Sequence, residues 1–127
     1  MKIRVYYEDT DCGNVVYYAN YLRYMERSRT ELLRDRGISL VEYQKQGILF
    51  AVVDLSVKYR SAARYDDLLD VESVVTETTS ITVTFKTTIR NQRDQLLVEG
   101  TVRLACIGPA GKAARIPQEI AGKLQVA

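Results

Sequence analysis

The residues between Tyr6 and Tyr21 have the types and spacing for acyl chemistry. They are Asp9 and Asp11, a Gly13-Asn14 turn signal, and Tyr6, Tyr7, Tyr17, Tyr18 and Tyr21. They lie between a short apolar segment and a stretch with helical spacing that begins near Asn20. A carboxylate at such a junction sits close to the positive end of a helix dipole. Asp11 has two routes at an acyl carbonyl. It can attack directly and give a mixed anhydride, or it can take a proton from an attacking water. Both routes build negative charge on the carbonyl oxygen, and the free N–H groups of a helix start point at such charge. One donor of this kind contributes roughly 3–4 kcal/mol in the transition state. The point matters because the chain contains no histidine. The competing reading is local, since Asp and Gly clusters between a strand and a helix also make turns and caps.

Other residues invite chemistry less directly. Cys12 stands beside Asp11, but no histidine is present to activate it, and it reads as a small loop residue. Glu26 and Glu31 could pass for a carboxylate pair; pairing with Arg23, Arg27, Arg29 or Arg34 at helical spacing accounts for them. Asn20 reads as a helix N-cap, in a position that also allows a substrate contact. Arg60 and Arg64 have the charge to meet phosphates, with salt bridges to Asp66 or Asp67 as the alternative. Tyr7 has either a site role or a packing role on the first strand. Tyr17, Tyr21 and Tyr24 read as core or interface aromatics.

The elements that must position these groups follow from periodicity. Alternation at Ile3, Val5 and Tyr7 predicts a strand over 2–7. A loop covers 8–19. Tyr21, Met25, Ser28 and Leu32 recur at helical spacing and predict a helix over 20–36, stopped by Gly37. A shorter helical turn over 39–46 has Ser39 as cap, with Glu42 three residues on. Strands are expected over 48–60, 68–78 and 80–91, with a turn at Thr78-Thr79-Ser80 and another at Gln92-Arg93-Asp94. A last strand carries Leu96, Val98, Val102, Leu104 and Cys106, and Gly108-Pro109 ends it. A short helix begins near Pro117. One long helix against five antiparallel strands is an α+β layout. A single helix covers one face of a sheet, so dimerisation through the sheet is expected to cover the other.

Composition bounds the function. A chain of 127 residues fits one domain, residues 1–127. A net charge of +2, with the basic residues scattered, argues against nucleic acid as the main partner. The longest apolar run, Ile48 to Val53, is far below the about 20 residues of a membrane span. No hydrophobic stretch of signal-peptide length follows Met1, so a cytoplasmic location is expected. Two distant cysteines and no histidine exclude the usual zinc sets.

Tyr7-Glu8-Asp9-Thr10-Asp11, then Gly13, Val15-Val16-Tyr17, Asn20-Tyr21 and Met25-Glu26-Arg27-Ser28-Arg29-Thr30-Glu31, resemble the signature of hotdog-fold acyl-CoA thioesterases. The resemblance is closest to the YbgC-type branch of the 4-hydroxybenzoyl-CoA thioesterase family. Val57-Lys58-Tyr59-Arg60-Ser61-Ala62-Ala63-Arg64-Tyr65-Asp66-Asp67 resembles the same branch. The resemblance implies a long central helix wrapped by a five-stranded antiparallel sheet. It also implies dimers, often paired into tetramers, with active sites at the subunit interface. The implied reaction is hydrolysis of an acyl-CoA thioester to a carboxylic acid and free CoA, with no metal or redox cofactor. An acyl carrier protein is a second partner that the family allows.

By the resemblance, Asp11 takes the catalytic role, and Tyr7, four positions before it, is implicated beside it. Tyr18 stands where this branch usually has histidine. The related 4-hydroxybenzoyl-CoA branch has tyrosine there, and its backbone N–H polarises the thioester carbonyl; that role passes to the Tyr18 amide. Two other functions remain open. One is a non-catalytic module that binds acyl-CoA or an acyl carrier protein. The other is a hydroxyacyl dehydratase, whose pattern carries a catalytic histidine that this chain lacks.

Overall fold

A computed structural model describes residues 1–126. Strand β1 (Lys2–Arg4) is followed by a single 3-10 turn (Tyr7–Asp9) and helix α1 (Asn20–Asp35). Helix α2 (Leu40–Lys45), strands β2 (Leu49–Tyr59), β3 (Leu68–Thr78), β4 (Thr82–Arg90) and β5 (Leu96–Ile107), and helix α3 (Gln118–Ala121) complete the order. The strands form one antiparallel sheet in the order β1-β3-β4-β5-β2.

Alternation decides which face meets the helix. Val83, Phe85, Thr87 and Ile89 of β4 are buried, while Thr82, Thr84, Lys86, Thr88 and Arg90 are not. Helix α1 lays Tyr21, Met25, Ser28 and Leu33 on that inner face. Its core falls into two parts. One lies near the start of α1 and includes Val5, Val16, Tyr21, Met25 and Val98. The other lies near its end and includes Leu33, Ile38, Phe85, Val102, Leu104 and Ile120. The helix stops where expected. Gly37 takes φ +77°, its N–H donates to the Arg34 carbonyl, and the Ile38 N–H donates to the Leu33 carbonyl. Only glycine adopts that backbone without strain.

Several boundaries differ from the sequence expectation. The first strand stops at Arg4, because the chain turns at Tyr7 to bring Asp9 back toward Tyr6. Asn20 is inside α1 and does not cap it. The capping residue is Ala19, in helical conformation and without a side-chain bond. Asn20 is drawn elsewhere: its Nδ2 donates to the Asp9 carbonyl and its Oδ1 accepts from Arg23. Ser39 also makes no capping bond, and α2 is one turn and a half. Strand β4 begins later than predicted because the Thr79 hydroxyl holds the turn, accepting from the N–H groups of Ile81 and Thr82.

The face of the sheet away from α1 is polar. It carries Asp70, Glu72, Thr84, Lys86, Glu99, Thr101 and Arg103, with Val74 as an exposed apolar exception. The apolar surface left open is instead the edge strand β2. Val52, Val53 and Leu55 are exposed there, and a bulge separates Val52 from Asp54. Among the described residues no helix is long and apolar enough to cross a membrane.

Candidate active site

The 3-10 turn exists because side chains close it. Asp9 Oδ2 accepts the Tyr6 N–H at 2.8 Å, and the Thr10 hydroxyl donates to the Tyr7 carbonyl at 2.7 Å. The next five residues form a tight loop. The Asp11 N–H donates to the Val15 carbonyl at 2.9 Å, and the Asn14 N–H donates to the Asp11 carbonyl at 3.0 Å. Asn14 reverses the chain at φ +62°, a conformation that asparagine tolerates better than most residues. A bridge from Val15 to Arg64 and a bond from the Val16 N–H to the Ala63 carbonyl tie the loop to the segment between β2 and β3.

Asp11 serves this loop with one carboxylate oxygen. Its Oδ1 accepts the Gly13 N–H at 2.8 Å, which is a local turn bond. Its Oδ2 has no hydrogen-bond donor among the described residues, and the side chain is exposed. The local reading and the chemical reading therefore hold together: one oxygen fixes the orientation and the other is open.

The start of α1 supplies the donors. The N–H groups of Asn20, Tyr21 and Leu22 already bond the carbonyls of Tyr17, Tyr18 and Ala19, and the Tyr17 N–H bonds the Asp9 carbonyl. Among the described residues the N–H groups of Tyr18 and Ala19 have no acceptor. They are the orphan donors that every helix start leaves. The charge of Asp11 is felt at this end of the helix. It helps push the Tyr17 phenol above its ordinary ionisation, after a larger effect from Tyr18. It also adds to the rise at Tyr21, where burial is the main cause.

Tyrosine rings surround the junction. Tyr17 and Tyr18 lie 4.9 Å apart, Tyr18 meets Tyr59 edge-on at 6.4 Å, and Tyr59 leans on Tyr21 at 5.6 Å. Tyr21 is anchored, because its hydroxyl accepts the buried Ala63 N–H at 2.9 Å. Tyr59 is held through its hydroxyl, which donates to the Tyr18 carbonyl at 3.3 Å.

The structure brings Asp11, the Tyr18 amide, Tyr17 and Tyr21 to one end of α1. Tyr7 is not packed on a strand as its alternation predicts. It is 76% exposed, and its ring meets Tyr65 edge-on at 6.1 Å. Asn20 is buried, with its Nδ2 on the Asp9 carbonyl of the loop and its Oδ1 accepting from Arg23 on the same helix. Arg60 is taken by Glu99, through Nε at 2.7 Å and Nη2 at 2.6 Å, and not by Asp66 or Asp67. Arg64 is bonded through its backbone, its N–H donating to Asp67 Oδ2 and its carbonyl accepting the Asp67 N–H, and its side chain is exposed without a partner among the described residues. Tyr59 is the residue that sequence reasoning left in the strand pattern. Its alternation with Val57 was visible, but its reach across to Tyr18 was not.

Comparison with known proteins identifies the family. Residues 13–98 match the family model described as "Thioesterase superfamily". The acyl-CoA thioester hydrolase YbgC of Escherichia coli is 36% identical over 124 residues, covering 97% of this chain and 92% of the relative. The acyl-CoA thioesterase YbgC of Haemophilus influenzae is 43% identical over 107 residues, covering 83% and 77%. Among solved structures, the DHNA-CoA thioesterase of Staphylococcus aureus superposes with a TM-score of 0.92 at 28% identity, covering 98% of this chain and 89% of that one. The fold is the hotdog fold, and the chain belongs to the thioesterase superfamily, in its YbgC-type acyl-CoA thioesterase branch.

Proposed function

We propose that this chain hydrolyses an acyl-CoA thioester to a carboxylic acid and free CoA, with Asp11 as the reacting carboxylate and the Tyr18 N–H as the oxyanion donor. The relatives' names describe acyl-CoA thioester hydrolases, and at this identity and coverage the chain is an enzyme of that class. The observation that carries the residue roles is the division of labour at Asp11. Its Oδ1 is pinned by Gly13 while Oδ2 is free, at the helix end where the Tyr18 N–H has no acceptor.

Two balanced routes fit this arrangement. In the first, Oδ2 takes a proton from water as the hydroxide oxygen bonds the carbonyl carbon. The tetrahedral oxyanion then collapses, the C–S bond breaks, and the departing thiolate recovers the proton. In the second, Oδ2 bonds the carbonyl carbon and expels the thiolate, and water then cleaves the anhydride. Thiolate leaves readily in either case, so no histidine acid is required. Asn20 supports the loop that carries Asp11, and the free guanidinium of Arg64 is suited to the phosphates of CoA. Tyr7 is assigned a supporting role through the turn it opens.

We further propose that a second copy pairs with the exposed β2 edge, giving a homodimer in the cytoplasm. The support is an edge strand of eleven residues whose exposed members include Val52, Val53 and Leu55. Such an edge is a template for pairing. Free-thiol release from acyl-CoA and from acyl carrier protein thioesters, by wild type and Asp11→Asn, tests the reading and identifies the carrier. Turnover confined to wild type is expected. Equal turnover by both proteins removes Asp11 from the chemistry.

A further inference from the structure

The two halves of the site meet at Ala63, a fully buried residue in the segment between β2 and β3. Its N–H donates to the Tyr21 hydroxyl at 2.9 Å, and Tyr21 stands in the first turn of α1, just beyond the Tyr18 amide. Its carbonyl accepts the Val16 N–H at 2.8 Å. The neighbouring Val15 carbonyl takes the Asp11 N–H at 2.9 Å and so closes the Asp11 loop. The loop and the helix start are thus tied to one residue. Any shift of Ala63 changes the spacing between the carboxylate and the oxyanion donor.

Asp67 holds the turn that carries Ala63. Its Oδ2 accepts the Arg64 N–H at 2.9 Å. Its Oδ1 accepts Gln92 Nε2 at 3.0 Å, from the turn between β4 and β5. Its main chain closes the same turn: the Asp67 N–H donates to the Arg64 carbonyl at 3.1 Å, and the Asp67 carbonyl takes the Val5 N–H at 2.9 Å. Asp66 stands in the left-handed region at φ +69°, a conformation that costs energy outside glycine, so the turn depends on these bonds. Asp67 is only 8% exposed, and a buried carboxylate is costly unless its oxygens are bonded. Each oxygen here has a neutral amide donor, and an ionised acceptor makes such bonds stronger than neutral ones. We infer that Asp67 is a positioning residue for the hydrolysis: it touches no reacting atom, and through Arg64 and Ala63 it sets the distance between Asp11 and the Tyr18 N–H. This inference rests on the thioesterase reading above and adds a residue to it.

The experiment measures kcat and KM for wild type, Asp67→Ala, Asp67→Asn and Gln92→Leu, with Asp11→Asn alongside. The substrates are butyryl-, benzoyl- and palmitoyl-CoA and the N-acetylcysteamine thioesters of the same acyl groups, which lack the phosphates that Arg64 would meet. Asp67→Ala is expected to lower kcat by at least about tenfold on both kinds of thioester, because small displacements of reacting groups carry losses of that order. KM for the N-acetylcysteamine thioester should stay within about twofold, as for an interaction felt only in the transition state. Asp67→Asn keeps an acceptor for the Arg64 N–H and is expected to recover most of kcat. Gln92→Leu removes one of the two side-chain bonds from an exposed position, and a fall in kcat of about threefold is expected by the same reasoning. It carries the test if Asp67→Ala does not fold. A purely structural role would lower the urea midpoint and leave kcat per folded molecule unchanged, which overturns the inference. A loss confined to acyl-CoA and carried in KM would mean that Asp67 acts only through the Arg64 side chain, which also overturns it. In both cases turnover lost in Asp11→Asn leaves the thioesterase reading standing. Equal turnover by wild type and Asp11→Asn, or none by wild type, overturns both.

Discussion

Met25 occupies the space that a side chain on residue 100 would need: a β-carbon built on Gly100 would stand 2.7 Å from Met25 Sδ. The glycine thus leaves room for the Met25 side chain of α1 against β5. Gly100→Ala is expected to destabilise the protein by about 1–3 kcal/mol, the usual cost of overpacking a core. Urea unfolding of the two proteins measures it. The midpoint should fall while the slope stays constant.

Tyr24 is buried, and its hydroxyl has no hydrogen-bond partner among the described residues. Burial, and next the nearby Asp9 charge, hold its ionisation well above the ordinary tyrosine range. The neutral form is therefore the one that folds. The native state keeps its proton at a pH where the unfolded chain has lost it. Stability linked to this group is complete below the ordinary tyrosine range and declines as pH rises through that range toward the folded value. Tyr24→Phe removes a buried polar atom that bonds nothing, so it is expected to be neutral or stabilising by up to about 1 kcal/mol at pH 7. It should also lessen the loss of stability between neutral and strongly alkaline pH. Urea titrations at several pH values check both.

Much of this molecule can be read from its residues, and the exceptions have one cause. The α1 stripe at Tyr21, Met25 and Ser28, the Gly37 stop and the β4 alternation depend on local period and backbone freedom, and they appear as expected. The Asn20 cap and the strand assignment of Tyr7 do not appear, because bonds to residues distant in the chain or turned back on it decide them. Asn20 answers to the Asp9 carbonyl, and Tyr7 to a turn closed by Asp9 and Thr10. Charge and sequence distance alone offer Arg60 the carboxylates of Asp66 and Asp67. Its partner Glu99 lies on the adjacent strand, where pairing register decides who meets whom. The apolar surface in need of a partner was expected on an open sheet face. It lies on an edge, because the outward positions of β4 and β5 are polar.

Arg64 and Arg60 should separate in kinetics. Arg64→Ala is expected to raise KM for acyl-CoA several-fold with little change in kcat, the signature of lost uniform binding. The effect should shrink at high salt, as for any exposed charge. Arg60→Ala should change KM less, because its guanidinium is held by Glu99. Steady-state kinetics at two salt concentrations measure both.

Val53 lies at the β2 bulge and is 52% exposed. A lysine on an edge strand discourages pairing with another chain. If the proposed pairing through β2 holds, wild type is a dimer in light scattering and Val53→Lys is a monomer. Loss of turnover in the same sample would place the active site at the subunit interface.

Asp11→Asn tests the central claim most directly. An asparagine carbonyl can still accept the Gly13 N–H, so the loop and fold should persist by circular dichroism and urea unfolding. Thiol release from the best acyl-CoA should fall by about 10²–10⁴-fold, the range expected when a reacting carboxylate is lost. A folded Asp11→Asn protein with undiminished turnover would contradict the account.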